Sequence, residues 1–145
     1  MTHLDPEHII KIEETRFTHP ESDTDPDDPW SDWGGYEGYV ITTNRQRIYM
    51  GISTGEQCCE VTGYFMSEDN PREFIGARLR TVSVSDTNLS TKELPVPYLD
   101  HGGVCFVTLA TDMGDLQFVC YNSHNGYYGH EALVWSEQVR EYMTV

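Results

Sequence analysis

VCFVTLATDMGDLQFVCYN, residues 104–122, decides the fold class. Two runs rich in β-branched and aromatic residues flank Asp112-Met113-Gly114-Asp115, a stretch with the turn chemistry of a tight hairpin. The runs are too short for buried helices and carry no 3.6-residue period, so two antiparallel strands are expected.

The same signal recurs before and after it. YEGYVITT and RIYMGIS, residues 36–43 and 47–53, are two further strands around Asn44-Arg45-Gln46. QCCEVTGYFM (57–66), ARLRTVSVSD (77–86) and EALVWSE (131–137) read as strands, and QVREYMTV (138–145) as a last strand or a short helix. In the fourth of these runs, Leu79, Thr81, Val82 and Val84 carry the alternation. PREFIGA (71–77) suits one helical turn. Residues 5–17 are two-sided: Asp5-Pro6 suits a helix start, whereas Ile10 and Ile12 alternate with polar residues as a strand would. The strand is preferred. The expected fold is mostly β, or α+β with little helix: an antiparallel sheet or sandwich built from hairpins. Residues 1–35 form an N-terminal segment with an acidic arm, and 36–145 a single β-rich domain.

The two hairpins hint at an internal repeat. Each has a threonine before its turn, Thr43 and Thr111, and each runs on into a third strand. Two three-stranded meanders fit this pattern, by duplication or by the general likeness of hairpins.

Residues 21–37, ESDTDPDDPWSDWGGYE, break the β pattern. Asp23, Asp25, Asp27 and Asp28 sit among Pro26 and Pro29, followed by Trp30 and Trp33, with no lysine or arginine. Such a segment buries too little apolar surface to order itself, while its indoles favour a surface to cover. It is read as an irregular arm that binds a basic partner. The whole chain carries a formal charge of -15. A basic footprint for nucleic acid is missing, and an anionic membrane surface is disfavoured. No apolar run approaches the roughly 20 residues of a membrane span. The start lacks the pattern of a signal peptide, so a cytoplasmic location is expected.

Chemistry is sparsely signalled. Cys58, Cys59, Cys105 and Cys120 are expected as reduced thiols, with no zinc-ligand spacing among them. Neighbouring Cys58 and Cys59 point to opposite faces of a strand and are read as small hydrophobes. Cys105 and Cys120 lie on the two arms of one hairpin and are read as packing residues. Asp23 to Asp28 start like a calcium loop but lack its glycine and its closing glutamate. No nucleophile with a matching base stands out and no phosphate loop occurs, so neither an enzyme, a cofactor nor a metal is expected. Two candidate ligand sites remain. Arg78 and Arg80 share a strand and, with Arg45, Arg47 and Arg72, are the clustered bases. They are expected either to pair with internal acids or to hold a phosphate. His124, Asn125, Tyr127 and Tyr128 form a polar aromatic loop of the kind found at binding surfaces.

QCCEVTGYF, EFIGARL with TVSVSD, and FVCYNSHNGYYGHEALV, in that order, resemble a group of small uncharacterised domains common in phage and prophage genomes. The resemblance implies a β-rich domain without established activity, encoded by a virus and acting inside a bacterium. Two functions follow as expectations. One is an acidic inhibitor of a host defence protein, by nucleic-acid mimicry, with Asp23, Asp25, Asp27, Asp28, Trp30 and Trp33 meeting a basic surface. The other is a small-molecule or nucleotide-signal binder that uses Arg78, Arg80 and the Tyr127–Tyr128 loop. Exposed β edges also permit a homodimer.

Overall fold

The computed structural model describes residues 6–20, 35–53, 61–68, 70–85, 103–123 and 131–145. The expected β fold is present. Among the described residues nine strands run in chain order: β1 (Ile9–Thr18), β2 (Gly35–Thr43), β3 (Arg47–Ser53), β4 (Val61–Met66), β5 (Leu79–Ser85), β6 (Gly103–Thr111), β7 (Gly114–Ser123), β8 (Glu131–Trp135) and β9 (Arg140–Thr144). One 3-10 turn, Pro71–Phe74, precedes β5. Residues 138–145 thus hold a strand and no helix.

The strands form two antiparallel sheets, ordered β1-β2-β3-β8-β9 and β4-β7-β6-β5. Their inner faces share one core. Ile12, Ile41, Ile48, Met50 and Val134 come from the first sheet; Leu79, Val82, Val107, Leu109, Leu116 and Phe118 come from the second. Period-2 alternation drives this, because each strand sends every other side chain inward. β1 lies within the first sheet, paired with β2 from Ile9 to Thr18.

The hairpins are as expected: Ile41 faces Ile48, and Leu109 faces Leu116. Gly114 closes the second turn at φ +112°, a conformation that disfavours any residue with a Cβ. The third strands are not as expected, and the two meanders are corrected. β4 follows the first hairpin in sequence but pairs with β7 of the second. β8 follows the second hairpin but pairs with β3 of the first. Each hairpin therefore receives the strand that belongs, in sequence, to the other.

The alternation read into β1 and β5 is corrected too. In β1, Ile9 faces Thr43 and Lys11 faces Thr42, so Ile10 is an extra residue. In β5, Leu79 faces Thr111 and Thr81 faces Ala110, so Arg80 is the extra one. Such a bulge resets the phase of a strand. Ile9 and Ile12 are buried while Ile10 is exposed, and Leu79 and Val82 are buried while Arg80 and Thr81 are exposed.

These two bulges belong to a local pseudo-two-fold. His8 bridges Arg78. The Ile9 N–H donates to the Ala77 carbonyl at 2.9 Å, and the Leu79 N–H donates to the Glu7 carbonyl at 2.8 Å. The Asn44 carboxamide oxygen accepts from the His8 N–H at 2.7 Å, as the Asp112 carboxylate accepts from the Arg78 N–H at 2.9 Å. The Thr43 hydroxyl accepts from the Arg45 N–H at 3.1 Å, as the Thr111 hydroxyl accepts from the Met113 N–H at 3.1 Å. Threonine and asparagine or aspartate fit here because their short side chains satisfy turn donors. β1 to β4 and β5 to β8 are thus two copies of one plan that exchange their fourth strands.

Cys105 and Cys120 face each other across β6 and β7, with Cα atoms 5.5 Å apart, and are joined in a disulfide. This corrects the expectation of reduced thiols for that pair. The separation lies within the range a disulfide spans.

Candidate functional site

One end of the sandwich gathers the start of β1, the β2–β3 turn, the start of β5 and the turn after β8. Between them lies a cleft of about 380 Å³ lined by Pro6, Glu7, Arg45, Arg78, Leu79, Arg80 and Gln138. The bulge at Arg80 builds it. Leu79 turns into the core, and Arg78 and Arg80 both stay at the surface. Arg45 reaches the same cleft from a turn fixed by Thr43, whose hydroxyl accepts from the N–H groups of Arg45 and Gln46 at 3.1 and 3.0 Å.

Glu7 is the acid in the lining, and it is 6% exposed. Its Oε2 accepts from the Thr43 hydroxyl at 2.6 Å and from the Gln46 side-chain amide at 2.8 Å. Gln46 in turn accepts from the Glu137 N–H at 2.9 Å, tying the wall to the turn after β8. The buried carboxylate therefore fixes the turn that carries Arg45. Structural pairing with acids was the simpler expectation for the arginines. The Arg78 and Arg80 guanidinium groups make no ion pair among the described residues, where Lys11–Glu13 at 2.9 Å is the single ion pair.

Arg47 stands exposed at the start of β3 and does not line this cleft. Arg72 lines a separate cleft of about 200 Å³ with Ile12, Glu14, Tyr39, Asn70 and Pro71. Asp23, Asp25, Asp27, Asp28, Trp30, Trp33, His124, Asn125, Tyr127, Tyr128, Cys58 and Cys59 lie outside the described residues.

From the middle of the β1–β2 ladder to its far end, where Thr18 pairs with Gly35, tyrosines meet glutamates. The Tyr36 hydroxyl donates to Glu131, and the Tyr39 hydroxyl donates to Glu14 at 3.0 Å. Burial, then the hydrogen bond to Glu131, raises the Tyr36 phenol well above its ordinary range. Burial and Glu14 do the same for Tyr39. Tyr64 is raised by burial, then by the charges of Glu14 and Glu37. All three are held neutral, Tyr36 and Tyr39 as hydrogen-bond donors, rather than poised as bases.

An aromatic group covers the outer face of the first sheet. Phe17 stacks on Tyr36 at 5.7 Å and lies against Tyr49 at 5.3 Å. Trp135 packs against His19 and Tyr142, which also touch each other, and Arg140 sits 5.8 Å from the Trp135 ring centroid. Phe17 needs Gly51 beneath it, since a Cβ there would lie 2.8 Å from the ring and 2.7 Å from the Glu37 carbonyl oxygen. Sequence reasoning passed over this group, because its members come from β1, β2, β3, β8 and β9.

No cluster of three or more potential metal ligands occurs among the described residues. No helix among them is long and apolar enough to cross a membrane. A family model described as a domain of unknown function matches residues 5–134. No curated protein and no solved structure matches the chain.

Proposed function

The chain belongs to the DUF7448 family, whose description carries no activity, and we propose that it is an acidic interaction protein that works by binding a basic protein partner. The observation that carries this reading is how the charge is spent. Glu13, Glu14, Glu37, Glu68, Glu73, Asp112, Asp115, Glu131, Glu137 and Glu141 are exposed, and among described residues only Glu13 is held in an ion pair. A negative field left open in this way steers and orients a positive partner. Glu131, hydrogen-bonded to Tyr36, lies near the strand ends Thr18 and Gly35 that lead into and out of the acidic segment, and the proposed interface combines that end with the segment. Trp30 and Trp33 of the segment supply the apolar anchors in this reading.

The finer reading is a phage-encoded inhibitor that covers the nucleic-acid channel of a host defence protein in the cytoplasm. The motif resemblance and the charge support it. The test is capture from a bacterial lysate by the full chain, then titration of the captured protein at rising salt. Binding is expected to weaken with salt and to fall when Asp25, Asp27 and Asp28 become asparagine or Trp30 and Trp33 become alanine. Salt-independent binding that survives both sets of changes removes this reading.

A further inference from the structure

We propose that the cleft between Arg45, Arg78 and Arg80 is a binding site for a small phosphorylated molecule. The inference is independent of the basic partner, because it concerns the opposite end of the molecule and the opposite sign of charge.

Three observations carry it. First, the chain has only nine lysines and arginines, and three arginines line one cleft. Guanidinium groups brought together repel one another unless an anion sits between them. Neither Arg78 nor Arg80 makes an ion pair among the described residues, and the one carboxylate in the described lining, Glu7, held by the neutral Thr43 and Gln46 side chains, offsets a single charge of the three.

Second, the fold does not require arginine there. The pseudo-two-fold places Ile10 at the bulge that matches Arg80. It places Met113 at the turn position that matches Arg45, and His8 opposite Arg78. Ile10 is 55% exposed and Met113 57%, so the equivalent positions are surface positions in both copies. The same backbone thus presents isoleucine and methionine on one side and arginines on the other. Burial gives no reason for the difference between Ile10 and Arg80, both exposed, whereas an anionic ligand does.

Third, size and chemistry agree. About 380 Å³ lies within the range of small-molecule clefts. Arginine forks grip the oxygens of a phosphate in pairs, and three of them exceed the need of a single carboxylate. Gln138 adds a donor and an acceptor, and Pro6 and Leu79 add apolar wall. The described lining offers groups that bind a phosphoryl oxygen, and the proposal is of binding alone.

The experiment is isothermal titration and thermal melting of the full chain with pyrophosphate, adenosine diphosphate and, as a control anion, sulfate. Pyrophosphate and the nucleotide are expected to bind and to raise the melting temperature, with sulfate much weaker. Tighter binding of the nucleotide than of pyrophosphate assigns part of the cleft to the nucleoside. Equal binding assigns the cleft to the phosphates alone. The double change Arg45→Met, Arg80→Ile copies the residues of the equivalent positions. It is expected to leave melting of the free protein unchanged and to weaken binding about tenfold or more. Arg80→Lys keeps the charge without the fork and is expected to fall between. No heat and no melting shift with either phosphorylated probe overturns the proposal. So does binding that the double variant and Arg80→Lys leave intact, or sulfate binding as tight as pyrophosphate.

Discussion

Tyr36 shows how one residue couples the fold to its charge. Its ring is 4% exposed, stacked on Phe17, and its hydroxyl donates to Glu131. Burial and that bond favour the neutral phenol in the folded state over the unfolded one, where the pKa is about 10. A raised folded pKa means that the stabilisation is complete below pH about 10 and is lost as pH climbs past it. Denaturant unfolding measured at rising alkaline pH is expected to show falling stability. Tyr36→Phe is expected to flatten that fall, since the ring remains and the titration goes. An unchanged slope removes the account. Ile10 makes a second point at this scale. It is 55% exposed and stands as the extra residue of the β1 bulge. Ile10→Thr is expected to change stability by less than about 0.5 kcal/mol. Deleting Ile10 removes the excess residue and leaves Ile9 opposite Thr43 and Ile12 opposite Ile41, both on the core face, so the loss of about 1.5–3 kcal/mol that exposing an isoleucine costs is not expected, and seeing it contradicts the bulge. Urea midpoints of the two variants separate these outcomes.

At the scale of elements, the hairpins were legible because their information is local. Thr43 and Thr111, with the residues that follow them, define turns within a few positions, and the flanking runs alternate cleanly. The bulges were not legible. Ile10 and Ile12 alternate in the sequence, but the strand holds Ile9 and Ile12 inside. Only the partner strand, with Thr42 and Thr43 opposite, shows that a residue is in excess. The arginine cleft was half legible for the same reason. Arg78 and Arg80 are neighbours in sequence, but their convergence with Arg45 and Gln138 depends on how the two sheets meet. The disulfide belongs here as well. It ties β6 to β7 on the core face, with Cys105 6% and Cys120 0% exposed. Reduction, or the double change Cys105→Ala, Cys120→Ala, is expected to lower stability by about 2–4 kcal/mol. Equal urea midpoints with and without reductant mean that the bond contributes nothing.

For the whole molecule, the exchange of fourth strands decides what counts as a unit. β4 has its hydrogen-bond partner in β7, and β8 has its partner in β3. A fragment ending at Asp69 therefore leaves β4 without a partner and the edge of β3 uncovered. Neither that fragment nor its complement is expected to show dispersed amide resonances alone, and mixing the two is expected to restore them. Independent folding of either piece contradicts the exchange. This feature could not be read from the sequence, because β4 and β8 carry similar short apolar patterns and nothing in CCEVTGYF or EALVWSE says which hairpin will accept it. The exchange also bears on how the chain reaches its native state. Both crossing strands wait for a hairpin from the other half, so the decisive contacts join residues far apart in sequence and form late. Until they form, two unsatisfied sheet edges stand open. A neighbouring chain offers the same two strands, so crowded refolding favours reciprocal pairing between molecules, and dilution favours the closed monomer.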